Sequence, residues 1–279
     1  MTPIKLGKFA IYPLLDGYFQ LDGGSMFGIV PKNLWQRIYK PDDQNRIRLA
    51  ARSLLVEANG KWILIDTGMG NKFDDKKNQI YGIEKFPGII PQLLEIGITE
   101  MEISVVINSH LHWDHAGGNT IRHGNDWIPA FPNARYVIQR GEFDFATHLN
   151  ERTRGSYRID DYAALEKLGY FDFVDGDATI VPGIQVVRSG GHVPYHQCVS
   201  LHSDSRTAFF LGDLLPTHGH LSYPYIMAFD LNPLETLEKK KEYLEKAMQE
   251  DWLLFFVHDP EHPCGRIVKT EKGFEFNPI

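Results

Sequence analysis

The stretch ISVVINSHLHWDHAGG, Ile103 to Gly118, decides how the rest of the chain is read. Its first half is rich in β-branched residues, the pattern of a buried strand. Its second half places His110, His112, Asp114 and His115 within six residues. Side chains two apart in an extended segment project to the same side, so His110 and His112 can meet one metal ion. Gly117 and Gly118 permit a tight bend that turns Asp114 and His115 toward a second ion. Imidazole combined with carboxylate suits zinc, iron or manganese.

Further ligand-type residues lie downstream, each just past an apolar run. His192 follows GIQVVRSGG, Asp213 follows TAFFLG, and His258 follows WLLFFV. Polar residues placed directly after apolar strands are what a site at a sheet edge requires, held by loops on a rigid scaffold. Upstream, RSLLVEANGKWILIDTG reads as two strands joined at Asn59-Gly60, a dipeptide suited to a tight hairpin turn, and ending at Asp66. IYPLLDGYFQL reads as an early strand and turn, FPGIIPQLLEIGI as a short helix, and ARYVIQ as a strand. Residues 141–170 have a helical flavour broken around 153–156. Asn232, Pro233 and Glu235 form a helix start, with Asn232 as N-cap, Pro233 at N1 and Glu235 completing a capping-box-like pattern. RIVKTEKGFEF closes the chain as a hairpin. The order predicts two mixed α/β halves around one core, with residues 1–279 forming one domain. The Lys239–Lys241 run is expected to be a solvated helix face, balanced by Glu235, Glu238, Glu242 and Glu245.

Composition narrows the function. The chain has 279 residues, 43% hydrophobic and 23% charged, as an ordinary globular protein has. A formal net charge of −7 lacks the basic character of a nucleic-acid binder. No signal peptide or membrane span is indicated, and Cys198 and Cys264 match no zinc or redox spacing. A cytoplasmic location is the expectation.

HLHWDHAGG, with IDTG before it and GGH, LGD and VHD after it, resembles the metallo-β-lactamase-fold hydrolases. The resemblance runs over nearly the whole chain in the family's motif order. It implies a four-layer αβ/βα sandwich with two divalent ions between the sheets, zinc first, iron or manganese allowed. By the resemblance, His110, His112 and His192 would bind one ion, Asp114, His115 and His258 the other, and Asp213 both. The HWDH segment is similar to the branch that includes lactonases, glyoxalase II-like thioesterases and organophosphate hydrolases. It is unlike flavodiiron proteins, which carry Glu where His112 stands, and unlike zinc β-lactamases with a cysteine ligand.

The reaction this implies is attack of a metal-bridging hydroxide on a small ester or lactone, as in the acyl-homoserine lactonases, with Asp114 shuttling a proton to the leaving group. Phosphotriesters, phosphodiesters and thioesters are the alternative substrates on the same site. An iron-dependent persulfide dioxygenase is the alternative from another class. Asp66 is expected to orient the histidines from behind. His196 resembles the second histidine of the lactonase GHxxGH pattern, with Tyr195 in place of the glycine, and is read as a supporting residue. The segment DGGSMFGIVPKNLW offers Met26 and Phe27 as an apolar lid. Acyl-homoserine lactonases tend to carry a tyrosine three residues past the shared aspartate. Pro216 stands there, so Tyr223, Tyr225, His218 or His220 is expected to replace it. A small molecule is the expected partner, without nucleic acid or membrane, and with a homodimer allowed.

Overall fold

The computed structural model describes all residues except Phe86 and Lys272, and only the backbone of Lys85. The first residue of the expected helix at 86–98 and one residue of the final hairpin therefore lie outside the described residues. Two sheets face each other. The first runs Ile4–Leu6, Phe9–Asp22, Arg46–Ala58, Lys61–Ile65, Ile103–Ile107, Arg135–Gln139 and Phe171–Val174, with Glu84–Lys85 paired to Phe9–Asp22. It is antiparallel up to Lys61–Ile65 and parallel from there on. The second runs Ala178–Val181, Ile184–Arg188, Gln197–Ser203, Arg206–Phe210, Leu253–Phe255, Cys264–Thr270 and Gly273–Pro278. Its pair Arg206–Phe210 and Leu253–Phe255 is parallel.

The period-two alternation of the strands builds the layers. Ile63, Ile65, Val105 and Ile107 of the first sheet pack against Val199, Leu201, Phe210 and Phe255 of the second. Their neighbours Leu64 and Val106 turn outward onto Leu93 of the helix Ile89–Ile96 and Leu165 of the helix Ala163–Lys167. On the far side, Phe209, Leu254 and Phe256 turn outward onto Tyr243, Leu244 and Ala247 of the helix Pro233–Gln249. Helix, sheet, sheet, helix is the layer order expected from the sequence.

Local details differ from the reading in three places. Asp16-Gly17 is a bulge inside the long strand Phe9–Asp22, and the chain does not turn there. The bulge frees the Asp16 carboxylate to accept from Met69 and Gly70 N–H, and burial raises its pKa to about 6. The Asn232 cap forms, but the Glu235 carboxylate reaches Gly191 N–H and the Asn232 side-chain amide instead of closing a capping box. Lys240 is buried, although Lys239 and Lys241 pair with Glu242 and Glu238 as expected. It shares a helix face with Thr236, Tyr243, Leu244 and Ala247, and its ammonium donates to the carbonyls of Ser222 and Tyr225. Burial lowers its pKa to about 7. It ties the segment 222–225 to the helix.

Candidate metal centre

Parallel strands end together, so the C-terminal ends of Lys61–Ile65 and Ile103–Ile107 reach the same edge of the first sheet. Those of Arg206–Phe210 and Leu253–Phe255 do the same in the second. Asp66, His110, Asp213 and His258 follow those four ends. The loop after Ile107 is closed by reciprocal hydrogen bonds between the Asn108 and Asn119 side chains and by Thr67 Oγ1 to Asn119. Trp113–Ala116 then forms one helical turn. Gly117 has an ordinary helical φ of −59°. Glycine is required there for close approach, since a Cβ would lie 2.0 Å from the Met69 carbonyl oxygen. That corrects the bend expected from the sequence. Gly212 does need a left-handed backbone, with φ of +54° and His196 Nε2 2.6 Å from where a Cβ would sit.

The ligand-type side chains gather in two groups. His110, His112, His192 and Asp213 form one; Asp114, His115 and His258 form the other; within each group the ligand atoms lie within 4.8 Å of one another. Asp213 faces both. Its Oδ2 is 3.2 Å from His192 Nε2, while its Oδ1 is 3.2 Å from His115 Nε2 and 3.0 Å from His258 Nε2. Asp114 Oδ2 is 3.4 Å from His258 Nε2.

The far side of each ring sets its tautomer. His115 Nδ1 donates to Asp66 Oδ2 at 2.9 Å, and His258 Nδ1 donates to the Ala50 carbonyl at 2.7 Å. His192 Nδ1 donates to Asp230 Oδ1 at 2.9 Å. Ser109 Oγ gives its proton to Asp66 and accepts from His110 Nδ1. In the neutral rings every one of these Nε2 atoms therefore carries a lone pair turned inward. His115 and His258 aim two such lone pairs at each other across 3.2 Å, with a carboxylate oxygen beside them. His110 Nε2 and Asp213 Oδ1 are buried without a hydrogen-bond partner. Only a proton or a cation is stabilised at such a point. Burial holds His110 and His112 well below the usual histidine range, which keeps both rings neutral. Where a proton occupies that point, burial opposes the charge on His115 and His192 but Asp213 raises both above the usual histidine range, and the protonated rings in turn hold its carboxyl well below the usual carboxylate range. The donor set fits divalent cations.

Supporting residues surround the groups. Asp66, in a left-handed conformation with φ of 55°, accepts from Ser109 N–H, Ser109 Oγ and His115 Nδ1. His196 Nε2 accepts from Asp213 N–H while its Nδ1 donates to Ser189 Oγ; burial takes its pKa down to about 3, so it stays neutral. Asp230 was not singled out in the sequence. It is held by Thr236 Oγ1 and orients His192. Glu142 was also missed. It accepts from Leu111 N–H and the Tyr157 hydroxyl, below the segment that carries His110 and His112, and burial raises its pKa to about 7.

A cavity of about 510 Å³ opens over the two groups. Its walls include Leu21, Met26, Tyr81, Trp113, Arg152 and Met227. Met26 reaches it as expected. Phe27 does not: it is fully buried, stacked on His220 at 4.5 Å and on Trp35 at 5.6 Å. Tyr223 lies outside the cavity lining, half-buried with its ring edge-on to Phe274 against the core under the last helix. His218 is also away from the cavity, because the buried Asp259 carboxylate captures its Nδ1 and backbone N–H and Phe276 stacks on its ring.

The sequence profile of the metallo-beta-lactamase superfamily matches residues 47–258. An N-acyl homoserine lactonase of Bacillus cereus is 29% identical over 232 residues, covering 79% of this chain and 86% of that protein. Among solved structures, a probable metal-dependent hydrolase from Staphylococcus aureus superposes with a TM-score of 0.92 at 27% identity, over 99% of both chains. An N-acyl homoserine lactone hydrolase, solved with N-hexanoyl-L-homoserine at its catalytic metal centre, superposes with a TM-score of 0.71 at 25% identity, over 94% of this chain and 95% of that one. The chain belongs to the metallo-beta-lactamase superfamily and is a metal-dependent hydrolase. No helix among the described residues is long and apolar enough to cross a membrane.

Proposed function

We propose that this hydrolase opens N-acyl homoserine lactones or closely similar small esters, using two zinc ions. The observation that carries the reading is Asp213, whose two oxygens face separate ligand groups. The lactonase relatives favour this substrate class. His110, His112 and His192 would hold one ion and Asp114, His115 and His258 the other, with Asp213 facing both groups. When bound, such a pair lowers the pKa of a shared water and polarises the substrate carbonyl. The chain's own part is positional. Asp66, Asp230 and the Ala50 carbonyl fix three imidazoles with lone pairs inward. Asp114 uses Oδ2 toward His258, and its other oxygen takes the proton released by the attacking water. As the acyl carbon–oxygen bond breaks, Asp114 returns that proton to the departing oxygen. Met26, Leu21 and Met227 offer the acyl chain an apolar wall. Both ligand groups are complete, which favours two ions over the single iron of a persulfide dioxygenase.

The test is proton release by zinc-loaded protein on N-hexanoyl homoserine lactone, a phosphotriester and a thioester. Lactone opening should lead the panel, with kcat/KM on the order of 10⁴ M⁻¹s⁻¹ or higher. Turnover of the phosphotriester or thioester without the lactone would overturn the substrate class.

A further inference from the structure

Among the described residues, one phenol lines the cavity over the ligand groups: Tyr81. Its position is built. The helix Asp75–Ile80 ends at Tyr81, whose N–H bonds the Lys77 carbonyl at 3.0 Å. Its carbonyl accepts from Gln20 N–H at 2.6 Å, which ties it to the long first-sheet strand. Its ring stacks on Phe73 at 5.5 Å and leans on Trp113 at 4.9 Å. Trp113 directly precedes Asp114, so the phenol shares a wall with that carboxylate.

Other tyrosines around the site have their hydroxyls engaged elsewhere. Tyr39 donates to Asp259, Tyr157 to Glu142, and Tyr162 to the Ala146 carbonyl. Tyr225 meets Phe27 edge-on, outside the cavity lining. The Tyr81 hydroxyl has no hydrogen-bond partner among the described residues. Burial and the Asp114 carboxylate both raise its pKa, so it remains a donor at neutral pH.

We propose that Tyr81 is a catalytic residue that donates a hydrogen bond to the departing oxygen of the substrate, on the side where Asp114 delivers the proton. The proposal rests on the acyl-hydrolase reading above. No proton leaves Tyr81: the acyl carbon–oxygen bond breaks, negative charge grows on the departing oxygen, Asp114 protonates it, and the phenol stabilises that charge meanwhile. A bond that strengthens as charge develops acts on kcat more than on KM.

The role has a signature that a packing role lacks. A poor alkoxide leaving group needs the donor, whereas an activated phenolate such as p-nitrophenolate does not. Zinc-loaded wild type and Tyr81→Phe are therefore compared on N-hexanoyl homoserine lactone, ethyl hexanoate and p-nitrophenyl hexanoate, with metal content measured on both. The expected result is a loss of about 10- to 100-fold in kcat on the lactone and the ethyl ester. KM and zinc content stay near wild type, and the p-nitrophenyl ester changes less than about threefold. Equal losses on all three esters, or no loss on the alkyl substrates, would overturn the role of Tyr81 and leave the hydrolase reading standing. Wild type that cleaves none of the three would overturn the acyl-hydrolase reading, and this role with it.

Discussion

Asp213→Ala is expected to drop below one zinc ion per chain and to lose on the order of 10³-fold or more in kcat/KM on the lactone. Both of its oxygens are used: Oδ2 toward His192 and Oδ1 toward His115 and His258. Removing them takes a carboxylate oxygen away from each ligand group and leaves neighbouring imidazole lone pairs with no anion between them. Asp213→Asn keeps one acceptor oxygen and should fall between alanine and wild type, which guards against reading a folding defect as a ligand effect. Metal analysis after dialysis, alongside initial rates, checks both variants. Two retained ions and full turnover in Asp213→Ala would remove Asp213 from the centre.

Asp66→Asn touches no ion in this account and is still expected to cost about 10- to 100-fold in metal affinity or activity. The Asp66 carboxylate accepts three hydrogen bonds and donates none. Asparagine fits its left-handed backbone, so the substitution tests chemistry and not strain. The amide cannot serve the same partners. With its oxygen toward His115, the NH₂ meets Ser109 N–H. Flipped, the NH₂ meets the His115 Nδ1 proton and drives that ring to the tautomer whose inward Nε2 carries hydrogen instead of a lone pair. A zinc titration against a competing chelator reads this directly. Unchanged affinity and rate would return Asp66 to a turn role.

The parts of the fold and site that are legible in sequence are those written locally. An apolar strand, its end and the ligand after it form one short stretch, as in ISVVINSH or WLLFFVH, so the strand-end residues could be read without knowing their partners. The partners are another matter. Asp230 finds His192, and Glu142 finds Leu111, through contacts between distant segments that carry no motif of their own. Tyr223 and Phe27 were aromatic residues on plausible loops, but Phe27 is buried against Trp35 and Tyr223 packs edge-on against Phe274, away from the cavity. Tyr81 drew no notice because its helix shows no signal linking it to Trp113. Lys240 was readable in principle. The 3.6-residue period puts it on the face of Thr236, Tyr243, Leu244 and Ala247, and the surrounding charges masked that stripe. Asp16-Gly17 has turn chemistry, yet the strand continues through it as a bulge paired to Arg46–Ala58, and the Asp16 carboxylate accepts from Met69 and Gly70 N–H.

The most direct measurement is the number of ions the wild-type chain holds after zinc loading and exhaustive dialysis. Two per chain are expected, one for each ligand group, with Asp213 between them. A single ion that stays single under excess zinc would contradict it, most sharply if that ion were iron and the protein consumed oxygen.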